Sequence, residues 1–214
     1  MTGASWIFLV VTAAFALADW FAVARDAKRV EYVCKPATLV ALIGVAVTLD
    51  PLHTDTRAWF VAALVLSLIG DIFLMLPRNH RTFAAGLSAF LVGHVAYIVG
   101  FNLHGGSGGA IALAAVPVVL VAVGFASRIL PDVLAGDDRS LVGPLLAYLV
   151  VISAMVASAL ATGNPWAGAG AALFFASDLI IAWNEFRHRL AWGPLAIIVT
   201  YHIAQVLLVL SLLH

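Results

Sequence analysis

The stretch SWIFLVVTAAFALADWFAVA, residues 5–24, carries a single charge, Asp19, and is followed at once by Arg25, Lys28, Arg29 and Lys35. At ~1.5 Å per residue, a helix over this run crosses a hydrocarbon core about 30 Å thick. No basic segment precedes it, so it reads as a retained membrane helix rather than a cleaved leader. The basic cluster behind it marks where the chain leaves lipid.

Outward from this run the same pattern repeats. Apolar segments separated by short polar breaks predict helices at about 5–24, 33–50, 57–77, 82–103, 109–130, 141–161, 165–184 and 191–213. The breaks carry turn chemistry: Asp50-Pro51, Pro77-Arg78-Asn79, Gly105-Gly106-Ser107-Gly108-Gly109, Pro131-Asp132 with Gly136-Asp137-Asp138, and Asn164-Pro165. None is long enough to hold a soluble domain, so residues 1–214 read as one transmembrane domain. With 64% hydrophobic and 10% charged residues and a mean hydropathy of +1.08, the chain lacks the polar surface a water-soluble globule of 214 residues needs. A net charge of zero without a basic stripe excludes nucleic acid as a partner. The single Cys34 excludes an internal disulfide framework and a thiolate metal cluster, and reads as a small apolar helix residue.

Ten of the eleven Lys and Arg residues fall in alternate breaks, and only Arg57 falls in the others. Retained positive charge marks the cytoplasmic side, so both termini are predicted outside. Compact loops with this charge asymmetry fit a bacterial-style inner membrane, and fit an organelle membrane as well. Pro36 and Pro144, Gly70-Asp71 and Ser177-Asp178, and His94 and His202 recur about 108 residues apart. These matches fit a duplication into two parallel four-helix repeats, 1–105 and 106–214; in so apolar a composition they also fit chance.

A charged side chain at bilayer depth costs at least ~2.5–3.5 kcal/mol, so each one needs a partner or a purpose. Asp19, Asp71 and Asp178 each lie six residues before the marker that ends the helix, namely Arg25, Pro77 and Asn184. That places all three about 9 Å below the cytoplasmic surface. His94 and His202, counted from Arg81 and Arg189, fall about 20 Å deep by the same rise. The set describes a polar funnel opening to the cytoplasmic leaflet. His94 with Tyr97, and Tyr201 and His202 with Gln205, share helix faces, while Gly86, Gly93 and Gly100 form a smooth stripe suited to close helix packing. The ordinary readings are that Asp19 pairs with Lys35, that Lys35 snorkels to the head groups, and that Arg187-His188-Arg189 is a topology signal.

Five segments in this order and spacing resemble the YhhN-type lysoplasmalogenase family over nearly the whole chain. They are Lys35-Pro36 at the opening of the second helix; Gly70-Asp71-Ile72-Phe73-Leu74-Met75; Phe83-x-x-Gly86-x-x-x-Phe90-x-x-Gly93-His94-x-x-Tyr97; Ser177-Asp178; and Tyr201-x-x-x-Gln205. The resemblance implies hydrolysis of the vinyl-ether bond of a lysophospholipid, a lysoplasmalogen, giving a long-chain aldehyde and glycerophosphoethanolamine or glycerophosphocholine. Such chemistry needs a proton donor at carbon, a nearby anion and a positioned water. Asp71 and Asp178 are the expected catalytic pair, one acting as acid and one as base, as paired carboxylates do in glycoside hydrolysis. His94, Tyr97, Tyr201 and His202 are expected to orient water or the glycerol hydroxyl, Ser177, Gln205 and Asp19 to complete the site, and Lys35 to attract the phosphate. No cofactor and no metal is expected in this reading. Two others stay open: a metal held by Asp71, Asp178, His94 and His202 that activates water, and a proton-coupled transporter with a midplane polar site. The 10 Å depth gap between acids and histidines argues against the first.

Overall fold

The computed structural model describes residues 1–77, 80–104, 106–136 and 139–214, and not the side chains of His80 and Ser140; Arg78, Asn79, Gly105, Asp137 and Asp138 of the predicted breaks lie outside the described residues. The described chain forms α1 (Gly3–Ala24), α2 (Lys28–Thr48), α3 (Thr54–Met75), α4 (His80–Leu103), α5 (Gly108–Ala135), α6 (Val142–Ala161), α7 (Pro165–Phe186) and α8 (Gly193–Leu210), with short 3-10 turns before α6 and after α8. It contains no strand, and all eight helices are long and apolar enough to cross a membrane. The protein is an integral, multi-pass membrane bundle.

Local chemistry sets the boundaries. Thr2, Ser107 and Asn164 cap α1, α5 and α7 with side-chain oxygens that accept backbone N–H groups, and Pro165 and Pro194 stand in the first turns of α7 and α8. Two ends differ from expectation. α2 begins at Lys28, so Lys35-Pro36 lies two turns inside it; the Lys28 ammonium bonds Glu31 at 2.8 Å and supports that extra turn. α5 runs through Pro131 to Ala135, although a proline inside a helix removes one backbone hydrogen bond and crowds the preceding turn.

Sequential hairpins α1–α2, α3–α4, α5–α6 and α7–α8 are the main packing units, joined by contacts of α2 with α3, α4 with α6, α6 with α7, and α8 with α1, α2 and α3. α8 is the central helix, with half of its spanning window buried, and α5 the most peripheral at 11%. Leu113, Leu120 and Val123 of α5 and Ile7, Val10 and Phe21 of α1 point outward as a lipid-facing apolar surface. Both termini stand at one end, where Thr2 donates to the Thr48 carbonyl and Leu52 N–H to the Leu212 carbonyl, each at 2.8 Å. The opposite end carries most of the arginines and lysines.

The glycine stripe of α4 faces α3. A Cβ at Gly86 would lie 2.8 Å from Leu74, one at Gly93 would touch Ala63 and Leu66, and one at Gly100 would lie 2.8 Å from the Phe60 ring. That ring is 1% exposed and held edge-on against Tyr97 and Phe101, so it has nowhere to go. Gly100→Val is therefore expected to destabilise the bundle by about 1–3 kcal/mol through overpacking. Reversible unfolding from mixed micelles measures this; an unchanged midpoint would show that the helices do not touch there.

Candidate functional site

The buried polar residues form two groups, not one funnel. In the first, Asp71 of α3 accepts the Lys35 ammonium of α2 on Oδ1 at 2.9 Å and the Tyr201 hydroxyl of α8 on Oδ2 at 2.7 Å. One turn further along α8, Gln205 Oε1 accepts the Tyr97 hydroxyl of α4. Asp19 of α1 adjoins this group: its Oδ2 lies 4.0 Å from Nε2 of His202, and both its oxygens are buried without a hydrogen-bond partner. The Trp20 indole N–H donates to His202 Nδ1 at 3.1 Å, which leaves Nε2 as the proton-bearing nitrogen, aimed at Asp19.

In the second group, Asp178 of α7 accepts the Tyr148 hydroxyl of α6 at 2.8 Å, and its Oδ2 lies 3.7 Å from Nε2 of His94. Both ring nitrogens of His94 are buried without a partner. Aromatic rings link the groups: Tyr201 packs edge-on against Phe90 and Phe174, and Phe174 packs against His94 with centroids 4.7 Å apart. Among the described residues, no side chain bonds both Asp71 and Asp178.

Several expected placements differ. The 10 Å depth gap disappears, because residues 187–192 are turn and α8 starts at Gly193, which puts His202 only nine residues in; α7 also continues to Phe186, which puts Asp178 eight residues from its end. The acids and histidines do meet, His94 lying 3.7 Å from Asp178 and His202 4.0 Å from Asp19. Lys35 is 16% exposed and engaged with Asp71 rather than standing at the mouth. The Ser177 hydroxyl donates to the Ile197 carbonyl at 3.2 Å and braces α7 against α8. Asp71, Asp178, His94 and His202 fall in different groups and do not converge on one point. Tyr148 and Trp20 escaped the sequence reading; a lone phenol four residues after Pro144 in an otherwise apolar helix was the only signal for the first.

Two cavities adjoin here, and one of them reaches Tyr148 and Asp178 of the second group. One of about 270 Å³ opens at the basic end and is lined by Thr82, Asn184, Glu185 and Arg189 among apolar side chains. The other, about 290 Å³, lies between α4, α6 and α7 and is lined mostly by apolar side chains such as Leu87, Leu91 and Leu145, with Tyr148 and Asp178. Leu74, Phe83, Ile181 and Glu185 line both. The arrangement offers a polar mouth, an apolar slot, and in that slot a carboxyl group backed by the buried imidazole of His94.

A multi-pass bundle with acids and histidines buried at lipid depth, and an apolar cavity that reaches Asp178, defines a polytopic membrane protein with a polar site among its helices. The sequence model of the YhhN family matches residues 30–212, and the chain belongs to that family. It is 34% identical to human "Lysoplasmalogenase TMEM86B" over 71% of this chain and 62% of that protein. It is 33% identical to the Mycobacterium bovis "Lysoplasmalogenase" over 70% of this chain and 58% of that protein. It is also 33% identical to human "Lysoplasmalogenase TMEM86A", over 74% of this chain and 66% of that protein. The matched region thus spans about three fifths of the length of these relatives. No solved structure matches the chain.

Proposed function

We propose that the protein hydrolyses the vinyl-ether bond of a lysoplasmalogen to a long-chain aldehyde and a glycerophospho-ethanolamine or glycerophosphocholine. The names of its relatives support the reaction, and the observation that carries the reading is that Asp178 lines an apolar slot at lipid depth joined to a polar mouth. The scissile bond of such a lipid lies between its glycerol and its chain. With the head group at the mouth, near Arg189, Asn184 and Thr82, and the chain in the slot, that bond comes to rest near Asp178, about 10 Å of helix below Glu185.

The two carboxylates divide the work. Asp178 as the acid gives its proton to the alkenyl carbon one bond removed from the ether-bearing carbon, and the C=C pair forms the new C–H bond. The resulting oxocarbenium ion is attacked by a water held between His94 and Asp178, and Asp178, now a carboxylate, takes the water's proton back. The hemiacetal collapses as its hydroxyl proton is passed to the departing glycerol oxygen, so one water is consumed and no proton is gained or lost overall. Asp71 works as a positioning residue: with Lys35 it fixes Tyr201, whose ring packs on Phe90, which lines the slot, and on Phe174, which in turn packs on His94. Tyr97 and Gln205 bond each other one turn further along α8.

The test is aldehyde release from a lysoplasmenyl lipid by purified protein in detergent, with the saturated ether lysolipid as the control. Aldehyde from the vinyl ether alone is the expected result. Well-folded protein that releases none would refute the proposed reaction.

A further inference from the structure

At the end of the bundle that carries the termini, away from both buried groups, three side chains with metal-binding atoms converge. His53 precedes α3, Asp55 lies in the first turn of α3, and His104 follows the end of α4. We propose that His53, Asp55 and His104 form a site for a divalent transition-metal ion of the zinc type, clamping the ends of the α3–α4 hairpin.

The ligand set and spacing carry this. Two imidazole nitrogens and one carboxylate oxygen are the donors of three-ligand zinc sites that keep a fourth position open. The three ligand atoms lie within 4.8 Å of one another, with His104 Nε2 and Asp55 Oδ2 at 2.8 Å. A tetrahedral ion with bonds of about 2.0–2.1 Å needs ligand atoms roughly 3.3 Å apart. His104 and Asp55 stand closer than that and no separation exceeds 4.8 Å, so small shifts of the side chains are what closing the site requires.

His53 occupies the N-cap position of α3 yet caps nothing with its imidazole. Asp55 keeps its cap-like bond, from Thr56 N–H, on Oδ1, while its Oδ2 is bonded to His104 Nε2, a contact that the ion would replace. The imidazoles of His53 and His104 stack with centroids 3.9 Å apart and planes 17° apart, so two soft donors from different elements are already side by side. Asp55 and His104 are about half exposed, which lets an ion enter from water. His53 and His104 line a cavity of about 650 Å³, toward which the fourth position would open; His214 lines it as well and provides an internal control.

The ion would tie α3 and α4 to the turn through Leu52, whose N–H bonds the Leu212 carbonyl after α8. The experiment is titration of untagged, chelator-treated protein with Co²⁺, followed by its visible d–d absorption, with Zn²⁺ as competitor, alongside melting with and without Zn²⁺. Wild type is expected to show saturable absorption displaced by Zn²⁺ and a metal-dependent rise in melting temperature. His53→Ala and His104→Ala should each weaken binding at least about tenfold and lose that rise, while melting normally without metal; a ligand should matter no less than the outer groups that support one. His214→Ala should bind as wild type does. Absence of saturable binding in wild type would overturn the proposal, as would loss of binding in His214→Ala equal to that in His104→Ala.

Discussion

Asp178→Asn is expected to lower the turnover of a lysoplasmenyl substrate by at least about a hundredfold, within the range lost when a general acid is removed. The carboxamide keeps the volume of the carboxyl group and can still accept the Tyr148 hydroxyl, so the melting temperature and the KM should barely move. What disappears is the exchangeable proton facing the slot. The loss should fall on kcat, because the interaction is made with the reacting carbon rather than with the resting lipid. Near-normal kcat in a folded Asp178→Asn protein would sink its role as proton donor and move attention to His94, whose Nε2 lies 3.7 Å from Asp178.

Asp71 should respond differently, because it holds a cation. Asp71→Ala strands the Lys35 ammonium at 16% exposure and releases Tyr201, and breaking a buried pair from one side costs about 3–5 kcal/mol. We expect the lower part of that range, since Lys35 keeps some access to the head groups. Adding Lys35→Met removes the stranded charge and should return much of the lost stability without returning full activity, because Tyr201 stays unanchored. Unfolding midpoints of both single variants and the double variant measure the coupling between the two residues. A double variant as unstable as the sum of the singles would show that the ion pair does not hold this part of the bundle together.

Much of the architecture was legible from hydropathy alone, because lipid forces every spanning segment to satisfy its own backbone and leaves few solutions besides helices. The glycine run at 105–109 and Asn164-Pro165 made the starts of α5 and α7 readable too. Where apolar patterning gave no signal the reading failed, as at the N-terminal turn of α2, which projects past the lipid on charged residues. The site residues were visible as residues that do not belong in lipid for nothing. Their partners were not, because pairing depends on helix rotation, tilt and the depth at which each helix begins. Counting inward from Arg189 put His202 too deep by the length of a turn, and nothing in the sequence sends Trp20 of α1 to a histidine on α8.

That last contact bears on how the molecule is made. Asp71 is bonded by Tyr201 and Asp19 faces His202, so these two acids wait for the last helix, whereas Asp178 meets His94 of α4, already made when α7 follows. A nascent chain inserts α1 and α3 with acids that have no α8 to meet, and holds them in the bilayer until five further crossings after α3 have been made. Truncation anywhere before Tyr201 leaves Asp19 without the imidazole it faces and Asp71 with Lys35 but no phenol. Arrival of α8 is thus the event that turns a set of separately inserted helices into a closed, durable protein.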